Sequence, residues 1–272
     1  MPSLSEEFQT VSAVIVTGGS SGIGKSFIEL CQKLNPGLRF CNLSRHAPVI
    51  NNYGLKLNHF ACDLSRPAEI ERAAADVAAL LAREVPAGRL LLINNSGFGA
   101  YGRFPEPNLE HQLEMLDVNI RGLVHLTGRL LPLLKARGGA IINVASTAAF
   151  QPTAYMAAYG ASKAFVLHWS LALNEELRGT GVRALAVCPG PTATEFFRRA
   201  GLKPGSVAGA MSMSCESVVQ ASLRALAAGR SQVVTGWKNK AGAFFASKLP
   251  KPLVARVTAL VLARYRLKQV PR

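Results

Sequence analysis

Residues 13–30 read AVIVTGGSSGIGKSFIEL, and this stretch decides the fold. An apolar, β-branched run ends at Gly18, and Gly22 and Gly24 open a segment whose apolar residues recur at helical spacing. Glycines let a backbone approach a pyrophosphate closely, and the start of a helix offers free N–H groups. Because these glycines lie between a strand and a helix, the stretch predicts a dinucleotide-binding loop. A purely structural turn is the alternative interpretation.

The same change of periodicity repeats along the chain. Short apolar runs alternate with amphipathic segments, which is typical of a parallel sheet covered by helices on both faces. Right-handed crossovers then produce a doubly wound α/β fold of the Rossmann type with about seven strands. The predicted strands lie at 13–18, 38–44, 58–64, 90–95, 140–146, 182–190 and 232–236, and the predicted helices near 22–34, 66–85, 107–136, 155–178 and 215–228.

The end of the chain differs in composition from the rest. No repeat, low-complexity segment or linker precedes about residue 236, so we expect one domain over 1–236 and a basic, amphipathic extension over 237–272. The extension has nine Lys or Arg and no Asp or Glu, and its apolar residues recur at helical spacing from 252 to 268. Such a helix would dock on the protein body or a second subunit, or would lie on an anionic membrane surface. Few aromatic residues alternate with the basic ones, so no nucleic-acid partner is predicted.

The overall composition favours a globular cytoplasmic protein. Of 272 residues, 49% are hydrophobic and 17% are charged, and the net charge of +15 is concentrated in the last fifth of the chain. The polar start MPSLSEEFQT does not resemble a signal or transit peptide, and no run of 18 apolar residues predicts a spanning helix. The five cysteines form no C-x-x-C pair, which indicates thiols in a reducing cytosol. No metal site is predicted.

Three residues between 146 and 163 suggest acid–base chemistry. Tyr159 and Lys163 are four apart, which places them on one face of a helix, and Ser146 ends a predicted strand upstream. A tyrosine has an ordinary pKa of about 10, and a nearby ammonium favours its phenolate. We therefore predict that Lys163 lowers the pKa of Tyr159 and that Ser146 donates a hydrogen bond to a developing oxyanion. The alternative is an ordinary exposed helix face, because such a Tyr–Lys pair is frequent by chance.

Several further motifs follow in a consistent order. The glycine loop has the form T-G-x-x-x-G-x-G, and CDLS contains Asp63. NNSG follows at 94–97, with Ser96 in place of an alanine, and DVNIRG contains Asn119. NVAS, YGASK and CPGPTATEF complete the series. With these motifs, over about 11–236, the chain resembles the short-chain dehydrogenase/reductase family of the classical type.

The resemblance implies hydride transfer between a nicotinamide cofactor and a carbonyl or secondary alcohol. Tyr159 would act as acid or base, Lys163 would also bind the nicotinamide ribose, Ser146 would hold the substrate oxygen, and Asn119 would hold a relay water. Homodimers or homotetramers are implied, through the helices near 107–136 and 155–178. The cofactor would contact Gly18, Ser20, Ser21, Gly22, Ile23, Gly24, Ser44, Arg45, Asp63, Leu64, Asn95, Gly97, Tyr159, Lys163, Pro189, Gly190 and Thr192.

A non-catalytic dinucleotide sensor or scaffold with the same fold is the competing hypothesis. Such a protein is expected to lack part of the set Asn119, Ser146, Tyr159 and Lys163, and all four are present. An epimerase or dehydratase would carry additional acid–base groups, and none stands out in the sequence.

The end of the second strand bears on the choice of cofactor. A free ribose 2′-hydroxyl is usually held by an acidic residue there, whereas a 2′-phosphate needs a cation. Arg45 follows this strand, and no Asp or Glu precedes Asp63. An arginine binds phosphate through a planar fork of donors, and Ser44 would add another donor, so NADP(H) is predicted. The alternative is that Arg45 is a solvated loop charge.

Residues 191–215 form a long connection that is typical of a functional lid. By resemblance, Thr192 and Thr194 would contact the cofactor. Phe196, Phe197, Met211 and Met213 would line a substrate entrance, and packing against the protein body is the equal alternative. An apolar lid favours a hydrophobic ketone as substrate.

Overall fold

The fold is known from a computed structural model that describes residues 8–51, 54–106, 108–201 and 212–263. Seven parallel strands form one sheet in the order β3-β2-β1-β4-β5-β6-β7. The predicted doubly wound sheet is confirmed. The strands are β1 (Val11–Thr17), β2 (Arg39–Ser44), β3 (Lys56–Ala61), β4 (Arg89–Asn94), β5 (Gly139–Val144), β6 (Val182–Cys188) and β7 (Gln232–Val234).

Helices connect the strands and cover both faces of the sheet. They are α1 (Gly22–Leu34), α2 (Pro67–Glu84), α3 (Leu109–Leu116), α4 (Leu123–Arg137), α5 (Ala157–Glu176), α6 (Phe196–Arg199), α7 (Cys215–Ala227), α8 (Trp237–Lys248) and α9 (Lys251–Ala263). A π-helical turn (Asp117–Gly122) joins α3 to α4, and a 3₁₀ turn (Thr147–Phe150) follows β5.

Two apolar cores lie on opposite faces of the sheet. Ile15 of β1 packs with residues of α2, α4 and α5 on one face. Val14 and Val16 pack with α1 and α7 on the other, because successive side chains of a strand point to opposite faces. This two-sided burial explains why the strands read as continuous apolar runs.

The order of the strands determines where a ligand would bind. The chain proceeds outward from β1 through β2 to β3 and then returns to place β4 on the other side of β1. At such a switch point the loops after the two central strands diverge and leave a crevice at the carboxyl ends. The glycine loop follows β1 and therefore lies at this crevice.

The single helix predicted near 107–136 is wrong in one respect. The structure divides it into α3 and α4 at the π-helical turn, which contains Asn119. Apolar spacing does not signal such a turn, because one extra residue shifts the helix face without changing its composition. π-Helical turns occur frequently at functional sites.

The C-terminal extension forms two helices instead of one, and its described part docks on the protein body. The Thr258 hydroxyl donates to the Pro152 carbonyl at 2.9 Å, and the Tyr101 hydroxyl donates to the Leu262 carbonyl at 2.6 Å. The remainder of the helix predicted to 268 lies outside the described residues. Across the described ranges, none of the helices combines the length and the apolar character needed to cross a bilayer.

Candidate active site

The predicted site residues come together at one edge of the sheet. They follow the carboxyl ends of parallel strands or lie on the helical segments beside those ends. The glycine loop (Gly18, Ser20, Ser21) follows β1 and leads into α1 (Gly22, Ile23, Gly24); Ser44 and Arg45 lie at the end of β2; Asp63 and Leu64 follow β3; Asn95 and Gly97 follow β4; Asn119 lies in the π-helical turn; Ser146 follows β5; Tyr159 and Lys163 lie in α5; and Pro189, Gly190 and Thr192 follow β6.

The glycine loop is held tightly against the end of β4. Gly18 adopts a φ of +68°, which favours glycine, and its N–H donates to the Leu43 carbonyl at 3.0 Å. The Asn95 amide donates to the Thr17 and Gly18 carbonyls at 3.0 and 3.2 Å. A Cβ atom at Gly24 would collide with the Gly18 carbonyl and the Asn95 amide. Glycine is therefore required where the loop enters α1.

The start of α1 fits the pyrophosphate of a nicotinamide dinucleotide. Ser21 is the N-cap residue, and its side chain makes no capping hydrogen bond. The first N–H groups of α1 are thus not capped by this hydroxyl, and they carry the positive end of the helix dipole. Thr194 lies over Gly22, since a Cβ atom there would be 3.1 Å from the Thr194 methyl. The loop after β6 thus approaches the glycine loop.

Tyr159 is a buried phenol, and the Ser146 side chain is close enough to influence its pKa. Burial raises the pKa of Tyr159 to about 12, and the Ser146 side chain only partly opposes this rise. The predicted lowering by Lys163 is wrong for the chain's own residues. The Lys163 Nζ lies 6.0 Å from the centre of the Tyr159 ring, and the cost of burying a phenolate outweighs its effect. At neutral pH this phenol holds its proton.

Lys163 is also buried, and its ammonium donates to the Val144 carbonyl at 2.8 Å. Burial lowers the pKa of Lys163 to about 8, since water that would solvate the charged form is excluded. A Cβ atom at Gly97 would lie 3.2 Å from Nζ, so glycine leaves the space beside the ammonium open. A nicotinamide ribose would be held by Lys163 in this space.

Asn119 is fully buried and cross-links three segments. Its side chain accepts from the Phe98 N–H at 3.1 Å and donates to the Phe98 carbonyl at 3.0 Å. It also donates to the Ser162 hydroxyl at 3.1 Å, and Ser162 donates to the Tyr159 carbonyl at 2.7 Å. The π-helical turn is thereby tied to the backbone of α5, the helix that carries Tyr159 and Lys163. The relay water remains a prediction.

The two residues predicted to bind a 2′-phosphate differ in availability. The Ser44 hydroxyl donates its only proton to the His46 carbonyl at 2.7 Å and accepts from the Asn42 amide. It therefore has no proton left for a phosphate, contrary to the prediction. The Arg45 side chain is 58% exposed and pairs with Glu114 at 3.5 Å. An exposed pair of this kind contributes only about 0–1 kcal/mol, so it would yield to a stronger partner.

Asp63 is positioned by its own turn. Its carboxylate accepts from the Ser65 N–H at 2.9 Å and hydroxyl at 2.8 Å. Burial opposes ionisation, but the Ser65 hydrogen bonds and the positive Arg45 and Arg66 hold the pKa of Asp63 below its usual value. A charged acceptor thus lies in the turn that follows β3.

The segment after β6 is anchored to the neighbouring loop. The Pro189 carbonyl accepts from the Thr147 N–H at 2.9 Å, directly after Ser146. The Thr192 hydroxyl donates to the Gly190 carbonyl at 3.0 Å, and Thr192 itself is buried. A Cβ atom at Gly190 would collide with Asn239 of α8. The segment is therefore held close to Ser146.

Apolar side chains surround the phenol. The ring centres of Phe196 and Tyr159 are 5.2 Å apart, and Met156 and Tyr101 belong to the same cluster. Leu262 of α9 also packs against this cluster. Met213 packs instead in the core beneath α1 and α7, and Met211 lies outside the described residues. Of the predicted lining residues, Phe196 and Phe197 pack against this cluster, and the Phe196 ring lies beside that of Tyr159.

Sequence reasoning missed three residues of this region. The Thr17 hydroxyl accepts from the N–H groups of Asn95 and Ser96, both at 2.9 Å. Its position at the end of β1, directly before Gly18, was a usable signal, as was the position of Ser162 beside Lys163. Leu262 gave no signal, because nothing local in the sequence relates α9 to α5.

The buried ammonium of Lys163 predicts a pH-dependent contribution to stability. The pKa of about 8 in the folded chain lies below the ordinary value of about 10.4, so between these values only the unfolded chain holds the proton. The free energy of unfolding should therefore rise with pH relative to that of Lys163→Met, by about 2 kcal/mol between about pH 8 and pH 10. Urea denaturation of both proteins measures this difference. Parallel pH curves would contradict the prediction.

Comparison with known proteins agrees with this geometry. A family model described as short chain dehydrogenase matches residues 12–204. An uncharacterized oxidoreductase of Staphylococcus epidermidis is 32% identical over 210 residues, which cover 72% of this chain and 87% of that protein. A serine 3-dehydrogenase of Rhizobium radiobacter is 32% identical over 189 residues, which cover 67% of this chain and 73% of that protein.

A solved structure supports the same relationship. A short chain dehydrogenase from Burkholderia cenocepacia, crystallised in complex with NADP, has a TM-score of 0.75 and 27% identity, and the match covers 91% of this chain and 97% of that one. The motifs, the sheet order and the matched family model therefore lead to one conclusion: this chain is an oxidoreductase that belongs to the short-chain dehydrogenase family.

Proposed function

We propose that the protein is an NADPH-dependent reductase of ketones or aldehydes with apolar substituents. The observation that carries the proposal is the state of Tyr159: a buried phenol that holds its proton, with Ser146 beside it and its ring centre 5.2 Å from that of Phe196. A group with this environment is suited to giving a proton to an apolar substrate.

The proton balance of carbonyl reduction defines the role of Tyr159. Reduction of a carbonyl requires a hydride, which a bound reduced nicotinamide supplies, and a proton for the nascent alkoxide. Tyr159, with its pKa raised to about 12, holds that proton at neutral pH. The Ser146 hydroxyl lies beside the phenol, where it would hydrogen-bond the oxygen as negative charge develops. After this transfer Tyr159 is a phenolate, and the reverse reaction, oxidation of the alcohol, would start from that phenolate.

The environment of Arg45 supports NADP(H) as the cofactor. No acidic residue between β2 and Asp63 is available to bind a free 2′-hydroxyl. Arg45 is exposed at the end of β2, and its pairing with Glu114 is weak enough to be exchanged for a phosphate. The Burkholderia cenocepacia relative, at 27% identity, was crystallised with NADP.

The substrate class is inferred from the lining of the site. Phe196, Met156 and Leu262 belong to one apolar cluster with Tyr159. A relative of this chain is a serine 3-dehydrogenase, so the same fold accompanies a polar substrate elsewhere. The lining residues, and not the fold, therefore carry this part of the proposal.

The experiment that tests the proposal measures NADPH oxidation with a homologous series of methyl ketones and with small polar aldehydes. A second assay measures the reduction of NADP⁺ with serine as the substrate. We expect kcat/KM to rise about fourfold with each added methylene, because a buried CH₂ contributes about 0.8 kcal/mol. Phe196→Ala should flatten this dependence, whereas Phe104→Ala, at an exposed phenylalanine, should not. Rates independent of chain length, or faster turnover of serine, would overturn the substrate assignment.

A further inference from the structure

The two C-terminal helices present an unusual concentration of exposed apolar side chains. Thirteen large hydrophobic residues are exposed in the described ranges of the chain, and eight of them lie between 237 and 261. Trp237 is 77% exposed and Leu260 is 70% exposed. Scattered exposed apolar residues are normal, but a contiguous group indicates a binding surface. The group consists of Trp237, Phe244, Phe245, Leu249, Leu253, Val257, Leu260 and Val261.

Helix α9 has two distinct apolar stripes. Val254, Thr258 and Leu262, four residues apart, face the protein body, where Thr258 donates to Pro152 and Leu262 accepts from Tyr101. The neighbouring stripe of Leu253, Val257, Leu260 and Val261 follows the i, i+4, i+7, i+8 spacing and is exposed. Docking on the body therefore accounts for only one of the two stripes.

Helix α8 likewise has one buried side and one exposed apolar side. Asn239, Ala243 and Ala246 are buried, and Trp237, Phe244 and Phe245 lie on the exposed side. The Lys238 ammonium lies 5.6 Å from the centre of the Trp237 ring. Aromatic rings beside lysines are typical of the boundary between lipid headgroups and acyl chains.

The positive charge of the exposed surface of α8 and α9 favours an anionic partner. The sequence has no Asp or Glu after Glu216, and Lys238, Lys240, Lys248 and Arg256 are exposed on these helices. A second copy of the chain would bring two such basic surfaces together and would be repelled. An anionic lipid surface neutralises the cations and accepts the apolar side chains.

We propose that α8 and α9 bind the surface of an anionic bilayer, with the exposed apolar stripe inserted among the headgroups. The neighbouring stripe of α9, formed by Val254, Thr258 and Leu262, remains docked beside Tyr101 and the apolar cluster around Tyr159. The inference does not depend on the substrate, because binding to lipid is measured without turnover.

The test uses the full-length protein and vesicles of phosphatidylcholine with or without phosphatidylglycerol. We expect co-sedimentation only with the anionic vesicles, weakened by added salt. The Trp237 emission should shift to the blue on binding, and a Trp237→Phe variant identifies this signal, since Trp169 is the other tryptophan of the chain. Leu253→Gln with Leu260→Gln should weaken binding by about tenfold or more, and Phe244→Gln with Phe245→Gln should do the same.

Matched variants separate the surface from general effects. Leu113 is 51% exposed, close to the 49% of Leu253, and lies on α3, so Leu113→Gln should leave vesicle binding unchanged. Lys240→Glu with Arg256→Glu should abolish the dependence on phosphatidylglycerol, whereas Arg83→Glu with Arg178→Glu, which makes the same change of charge elsewhere, should not. Retained NADPH binding in each variant shows that the fold is intact.

Two results would overturn the proposal. One is that the protein binds both kinds of vesicle and that the variants on α8 and α9 do not weaken this binding. The other is absence of vesicle binding together with a dimer in sedimentation velocity that Leu253→Gln with Leu260→Gln dissociates. The exposed stripe of α9 would then be a contact between two copies of the chain.

Discussion

Tyr159→Phe is expected to lower kcat/KM for carbonyl reduction by about 10²- to 10⁴-fold, the usual contribution of a positioned general acid. The substitution removes the phenol proton but keeps the ring that packs against Phe196. NADPH affinity should change little, because Lys163, which would hold the ribose, keeps its own hydrogen bond to Val144. Steady-state turnover and equilibrium NADPH fluorescence measure the two quantities separately.

Tyr155→Phe is the matched control, since Tyr155 lies one turn earlier in sequence and belongs to the same apolar cluster. It should retain activity within about threefold, because its hydroxyl is not the proton donor. If Tyr159→Phe retained comparable activity, the assignment of the general acid would be wrong. NADPH binding without turnover in either protein, across the whole substrate series, would favour the sensor hypothesis.

Arg45→Ala is expected to reduce the preference for NADPH over NADH by about 10- to 100-fold, because a hydrogen bond to a charged group contributes about 1.5–3 kcal/mol. The loss should occur in the Kd for NADPH and leave the Kd for NADH nearly unchanged. Isothermal titration with both cofactors measures it. Arg83→Ala, which removes a similarly exposed arginine from the last turn of α2, is the control.

A substitution at Glu114 tests the role of Arg45 in the opposite direction, by raising the affinity for NADPH. Its carboxylate is the partner of Arg45 in the structure, so Glu114→Gln frees the guanidinium and removes a negative charge near the phosphate position. NADPH affinity should therefore rise by a few fold, in line with the small worth of an exposed ion pair, about 0–1 kcal/mol. Equal NADPH and NADH affinities in the unmodified protein would contradict the role of Arg45 in both experiments.

The sequence predicted the features that depend on order along the chain. Each motif follows an apolar run, and parallel strands bring their carboxyl ends to one edge, so the assembly of Gly18, Asn95, Ser146 and Tyr159 could be inferred without coordinates. The features that it missed depend on three-dimensional context. Burial decides the protonation of Tyr159, and the local hydrogen bond to His46 removes Ser44 as a donor.

The C-terminal region illustrates the same limit. Charge and spacing predicted a basic amphipathic helix, but not the break after Lys248 that produces α8 and α9. Nor could they show that Leu262 would lie in the cluster around Tyr159. Contacts between distant segments are decided by packing, which a local pattern does not contain.

The position of β1 between β2 and β4 has a consequence for how the enzyme acquires activity. The Thr17 hydroxyl accepts from the Asn95 N–H, although the two residues are 78 positions apart in the chain. Closing a loop of this length costs conformational entropy before the stabilising contacts have formed, and sheets built from such distant pairings therefore fold slowly. The glycine loop cannot acquire its final shape until β4 has been added beside β1. We therefore expect a newly synthesised chain to bind the cofactor only after β4 has paired with β1. A nascent chain that ends before residue 95 contains the glycine motif but lacks the contact from Asn95 that shapes the loop.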